Sequence, residues 1–156
     1  MGFFSKLFGK SEAKNENGIF APIAGQAVPV SEVPDPTFSS GMLGNGVAII
    51  PSEGKVYAPC NATVDMMFAD NGAEILIHVG LETVGLEGKP FTVHVQNGQK
   101  VSKGDLMIEV DLEAVKAAGL NTITPVLVCN SDDFATFNTI TGKDVTIADV
   151  VIDLAK

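Results

Sequence analysis

Apolar residues in this chain gather in short, β-rich runs broken by Gly, Pro, Asn and Asp. The clearest are Val47-Ala-Ile-Ile50, Ile75-Leu-Ile-His-Val79, Phe91-Thr-Val-His-Val95, Leu106-Met-Ile-Glu-Val110 and Val126-Leu-Val-Cys129. Strand-length runs at this spacing, with turn residues between them, predict an all-β chain folded as a sandwich or barrel. One stretch reads differently: Leu112 to Ala118 suits a helix, closed by Gly119 as its C-cap. Asn71-Gly72 is the sequence signal of a two-residue hairpin turn, because both positions accept positive φ.

The pattern also repeats. Ala21-Pro-Ile-Ala-Gly-Gln-Ala-Val28 is echoed by Ala58-Pro-Cys-Asn-Ala-Thr-Val64. Gly98-Gln-Lys-Val101, with Asp105, Ile108 and Glu109, is echoed by Gly142-Lys-Asp-Val145, with Asp149, Ile152 and Asp153. Two echoes with similar offsets predict an intertwined duplication within one domain, and they are too few for a solenoid.

Residues 1–17 stand apart. Phe3, Phe4, Leu7 and Phe8 fall on one helical face, with Lys6 and Lys10 elsewhere, and a polar linker follows to Asn17. A helix this short is marginal in water alone. It suits a flexible amphipathic tail making weak contact with a membrane surface, although a disordered tail or a helix packed on its own domain fits the same pattern. Residues 18–156 form the domain.

Composition narrows the function. A chain of 156 residues suits one domain, able to bury on the order of two-thirds of its unfolded surface. Nineteen carboxylates against ten lysines, with no arginine, give a formal charge of -9. The tail carries +1 and the remainder -10. Nucleic acid is an unsuitable partner for such a surface, since cationic contacts to phosphate supply most of that affinity. The fork donors that clamp phosphate are missing too, so a phosphate-handling site here must rely on backbone groups or on a partner. Cys60 and Cys129 lie far apart in no CxxC spacing, and they read as small buried hydrophobes of a reducing compartment. No apolar run approaches the ~20 residues of a membrane span. A cytoplasmic protein is expected.

Of the two histidines, His78 has the unusual setting. Alternation puts Ile75, Ile77 and Val79 on one strand face and Leu76, His78 and Gly80 on the other. An imidazole among apolar neighbours needs a polar partner, and Gly80 leaves room for a backbone or ligand to come close. A neutral imidazole with one nitrogen held protonated can attack phosphorus with the other. A satisfied core histidine fits these residues as well.

The segment Gly72-x-x-Ile-Leu-Ile-His78-Val-Gly80-Leu-x-Thr83-Val84 resembles the phosphorylation segment of the glucose-type IIA proteins of the bacterial phosphoenolpyruvate-dependent phosphotransferase system. The resemblance runs from about Ile19 onward, through Val33-Pro-Asp35, Phe38, Gly44-Asn-Gly-Val-Ala-Ile49, both Ala-Pro echoes, Gly104-Asp105 and Thr124-Pro125. Residues 1–17 resemble that family's amphipathic N-terminal segment. The resemblance implies an antiparallel β-sandwich or barrel with duplicated halves, of the barrel-sandwich hybrid type. It implies a phosphoryl group that arrives from the carrier HPr, rests on Nε2 of His78 and passes to the IIB domain of a sugar permease. Nδ1 of His78 would be held by the Gly80 carbonyl, with Thr83 and Glu82 in supporting positions; Glu82 stands where the family usually has Asp. Phe38, Met42, Leu43, Phe68 and Val84 match its apolar docking surface. HPr presents a basic surface in this family, which complements an acidic partner. No cofactor and no metal are expected.

One departure matters. The family carries a second active-site histidine upstream, between the positions matching Phe68 and Ile75, whereas Phe68-Ala-Asp-Asn-Gly-Ala-Glu-Ile75 is short there and no histidine precedes His78. The zinc site that uses both histidines goes with it. His94 lacks a flanking glycine and reads as a structural or surface residue, or as a replacement helper. Cys60, His78, His94 and Cys129 match no recognised zinc spacing. Lys103, before Gly104-Asp105, sits at a turn that resembles those of biotinyl and lipoyl carrier domains, but its flanks do not suit attachment. A regulatory docking module and a swinging-arm carrier are therefore the readings that compete with a phosphocarrier.

Overall fold

A computed structural model describes residues 18–64, 68–69 and 72–155, with the backbone alone for Phe68, Ala69 and Val84. The tail and Asn71 lie outside these residues, so the amphipathic face of residues 1–17 is an expectation on which the fold is silent. The strands are β1 (Gly18–Phe20), β2 (Gly25–Pro29), β3 (Asn45–Pro51), β4 (Lys55–Tyr57), β5 (Ala62–Thr63), β6 (Phe68–Ala69) and β7 (Ile75–Ile77). They continue with β8 (Phe91–Val93), β9 (Lys100–Val101), β10 (Leu106–Val110), β11 (Thr124–Val128), β12 (Thr136–Thr139), β13 (Lys143–Val145) and β14 (Val150–Ala155). The described pairings are antiparallel and build sheets ordered β13-β2-β3-β11-β7, β1-β14-β12, β4-β10-β8 and β6-β5-β9. The chain is all-β, as its pattern of runs and turns predicts.

The sheets close on a main core that includes Ile19, Ile23, Ile49, Ile75, Met107, Val126, Ile152 and Leu154. A second, smaller cluster joins Val28, Val33, Phe38, Ala48, Leu81, Ile123 and Leu127. The split follows from the two-residue period: β3 and β11 are buried on both faces, so Val47 and Val126 point into one cluster and Ala48 and Leu127 into the other.

The echoes in the sequence are a pseudo-twofold in the structure. Phe20 N–H donates to the Pro59 carbonyl at 3.0 Å, and its counterpart Tyr57 N–H donates to the Pro22 carbonyl at 2.7 Å. Ala21 N–H donates to the Asp149 carbonyl at 2.9 Å, as Ala58 N–H does to that of Asp105 at 2.8 Å. In each of the two turns the aspartate carboxylate accepts a backbone N–H at 2.8 Å, from Ser102 in one and Thr146 in the other. Registers agree as well: Ile19 faces Ile152 and Val56 faces Ile108, each beside a bulge. Each Ala-Pro segment is thus completed by a distant turn ending in aspartate, Asp105 or Asp149, which is what intertwining means physically.

The expected helix is present. The helix spans Leu112–Ala117, with the Asp111 carboxylate accepting from Ala114 N–H at 3.1 Å as its N-cap and Gly119 at φ +80° beyond it. That agrees with the sequence. Asn71 lies outside the described residues, so the hairpin turn at Asn71-Gly72 stays an expectation; among the described pairings β6 pairs with β5 and β7 with β11. Gly72 takes a positive φ of 92°, and the side chain of Asn130 holds the backbone there. Its amide donates to the Gly72 carbonyl at 2.9 Å and its oxygen accepts from Glu74 N–H at 2.9 Å.

Candidate functional site

Strand β7 sorts its side chains as alternation predicts. Ile75, Ile77 and Val79 pack with the main core and Leu76 with the second cluster. The strand stops at Ile77, but His78 N–H still donates to the Pro125 carbonyl at 3.0 Å, so the histidine leaves the sheet at a fixed point.

Its ring is positioned from two sides. Phe38 lies with its ring centroid 5.1 Å from that of His78, tilted by 53°. Phe38 is delivered by a short helix, Pro36–Ser39, whose N-cap Asp35 accepts from Thr37 N–H at 3.0 Å and whose first residue is proline. On the other side, His78 Nδ1 lies 2.6 Å from the Gly80 carbonyl oxygen. A carbonyl can only accept, so Nδ1 carries the proton and donates it, and in the neutral ring Nε2 keeps its lone pair.

That contact requires a tight turn, and the turn explains Gly80. Its φ is +77°, and a Cβ there would meet the Thr83 methyl at 2.7 Å and the Asn121 carbonyl oxygen at 3.2 Å. Thr83 is buried, and its hydroxyl donates to the Val79 carbonyl at 2.9 Å. Glu82 is exposed and also left-handed, at φ 58°, a conformation that strains a residue with a side chain.

The residues matched to a docking surface differ among themselves. Met42 stands out into solvent at 73% exposure, Leu43 is partly buried against the second cluster, and Phe38 is buried with its ring on the imidazole. Phe68 lies in β6 and Val84 in a short 3-10 turn, Thr83–Leu86. Pattern reasoning alone missed Asp35 as the cap that sets Phe38, although Asp-Pro at a helix start is a readable signal. It also missed Asn121.

His94 sits elsewhere, just past β8, where its Nε2 donates to the Glu109 carboxylate at 2.8 Å with both side chains largely exposed. The structure places it as a surface histidine. Cys60 is buried in the main core, and Cys129 is partly buried. Burial, with a smaller contribution from the Glu74 charge, pushes the Cys129 thiol up and so favours its protonated form. Lys103 places its ammonium 4.0 Å over the Phe20 ring. Among the described residues, no group of three or more His, Cys, Asp or Glu side chains could hold a metal ion, and no helix is long and apolar enough to cross a membrane.

Comparisons with known proteins agree on one family. Residues 17–134 match the family model described as phosphoenolpyruvate-dependent sugar phosphotransferase system, EIIA 1. The chain is 43% identical over 152 residues to the PTS system glucose-specific EIIA component of Bacillus anthracis, covering 92% of each. It is 47% identical over 126 residues to the PTS system beta-glucoside-specific EIIBCA component of Bacillus subtilis, covering 75% of this chain and 21% of that one. Among solved structures, glucose permease IIA from Mycoplasma capricolum superposes with a TM-score of 0.80 at 31% identity, over 86% of this chain and 93% of that one. With a histidine held at the end of a sheet strand, in an antiparallel β-sandwich of duplicated halves, the chain belongs to the EIIA 1 family of the phosphoenolpyruvate-dependent sugar phosphotransferase system.

Proposed function

We propose that this chain is a phosphocarrier in which Nε2 of His78 accepts a phosphoryl group from HPr and passes it to the IIB domain of a sugar permease. The observation that carries the reading is the 2.6 Å contact of Nδ1 with the Gly80 carbonyl. It holds the proton on one ring nitrogen and leaves the other as the nucleophile. As the Nε2–P bond forms, the bond from phosphorus to the donor breaks and its electron pair stays with the donor. The second transfer runs the same exchange toward the IIB acceptor. An acidic chain with no arginine favours a basic donor surface, and Met42, Leu43, Phe68 and Val84 are the apolar contacts proposed around the ring, with Phe38 beneath it. A relative named EIIBCA joins A with B and C in one component, which supports a B domain as the acceptor. The protein works in the cytoplasm, with residues 1–17 in weak contact with the membrane face; a chain starting at Gly18 should keep its melting temperature and lose liposome binding.

The missing upstream histidine favours a second, regulatory role. No histidine precedes His78 and no arginine is present, so one donor to the departing phosphoryl oxygens is absent. Losing such a donor typically costs about 10² to 10³ in rate. Incubation with phosphoenolpyruvate, enzyme I and HPr, followed by a IIB domain, separates the steps by stopped flow. Acceptance near that of relatives with delivery slowed about 10² to 10³-fold is expected. Absence of any uptake rules out the phosphocarrier, and delivery as fast as acceptance rules out the regulatory role.

A further inference from the structure

The peptide unit between Gly80 and Leu81 is hydrogen-bonded at both ends. Its carbonyl accepts from His78 Nδ1–H at 2.6 Å, and its N–H donates to the carbonyl of Asn121 at 2.9 Å. Asn121 is itself fixed by an Asx turn, its Oδ1 accepting from Ile123 N–H at 2.9 Å. Next along that segment, the Thr124 hydroxyl donates to the Thr122 carbonyl at 3.0 Å. The segment then enters β11, the strand that pairs with β7.

We propose that Asn121 is a positioning residue for His78, acting through the Gly80–Leu81 peptide to keep the proton on Nδ1. The proposal rests on the reading of His78 as the phosphoacceptor. A glycine at positive φ leaves its neighbouring peptides free to rotate, and rotation of this one would swing its carbonyl off the ring. Two bonds oppose that. The Thr83 hydroxyl holds the Val79 carbonyl on one side of Gly80, and the Asn121 carbonyl holds Leu81 N–H on the other. The second also polarises the carbonyl that meets the imidazole, since bonds in a chain strengthen one another. The alternative is costly for the chemistry: a histidine free in water prefers its proton on Nε2, and a protonated Nε2 cannot attack phosphorus. Asn121 is exposed and touches no reacting atom, so its effect runs through the backbone.

The test uses the full-length protein and ¹⁵N shifts of the His78 ring, read at alkaline pH where the ring is neutral, alongside the rate of phosphoryl acceptance from HPr. Wild type should show the proton on Nδ1. Asn121→Ala, which removes the Asx turn, should move population toward the Nε2–H tautomer and slow acceptance about tenfold, the scale for removing support behind a functional histidine. Asn121→Asp keeps the acceptor oxygen and should restore both. If Asn121→Ala does not fold, Asn121→Ser takes its place, with a partial shift expected. Unchanged tautomer with wild-type acceptance in the folded variant overturns the proposal. A tautomer shift in a protein that never labels His78 overturns the phosphoacceptor reading and supports the positioning role, because the NMR measurement needs no donor.

Discussion

The two histidines each make one short hydrogen bond through the ring, and the difference lies in what accepts it. His78 bonds to a backbone carbonyl inside a turn whose peptides are themselves tied down, with the Phe38 ring beside it. His94 bonds to the Glu109 side chain across an exposed sheet. A carbonyl in a braced turn cannot leave, so it fixes both the tautomer and the direction of Nε2. A glutamate on a surface strand can rotate away at little cost, and it binds the His94 ring through Nε2 itself. The proposed nucleophile is the histidine whose opposite nitrogen is firmly held.

The largest effect that could break this contrast is loss of labelling. His78→Ala should abolish the acid-labile, alkali-stable phosphoryl adduct formed with phosphoenolpyruvate, enzyme I and HPr, and His94→Ala should leave it intact. Labelling that survives His78→Ala would reverse the assignment. A smaller effect should follow at Gly80. Gly80→Ala forces a Cβ into the left-handed region and against the Thr83 methyl and Asn121 carbonyl, at a cost of about 2 to 4 kcal/mol by denaturant unfolding. Acceptance should fall with it, because the carbonyl must move; a variant of unchanged stability would mean the turn is loose. The smallest effect belongs to His94. With its pair so open to solvent, Glu109→Gln should change stability by no more than about 0.5 kcal/mol and leave labelling at the wild-type rate. A larger loss would show that the surface pair supports more than itself.

Much of this was legible in the sequence, for a physical reason. The alternation of Ile75 to Val79 and the Ala-Pro and Gly-Asp echoes are periodic or repeated signals, and the sheet turns each into a definite face or register. The phosphorylation segment identified His78 and Gly80 by resemblance, and the structure supplied the 2.6 Å contact between them. Asn121 gave no such signal. Its importance arises only because β11 brings it beside Leu81, a long-range event that local composition does not encode.

The crossed bonds between Phe20, Pro59, Tyr57 and Pro22 bear on how the protein is made. Ile19 waits for Ile152, and Val56 for Ile108, so among the described pairings β1 meets its strand partner β14 only late in synthesis. Contacts of such sequence separation must meet the entropy of closing long loops before any strand gains from them. The chain should leave the ribosome unfolded and then fold late and in one cooperative step, slowly for its size, with the strand edges of β1 and β4 exposed to other chains in the interval.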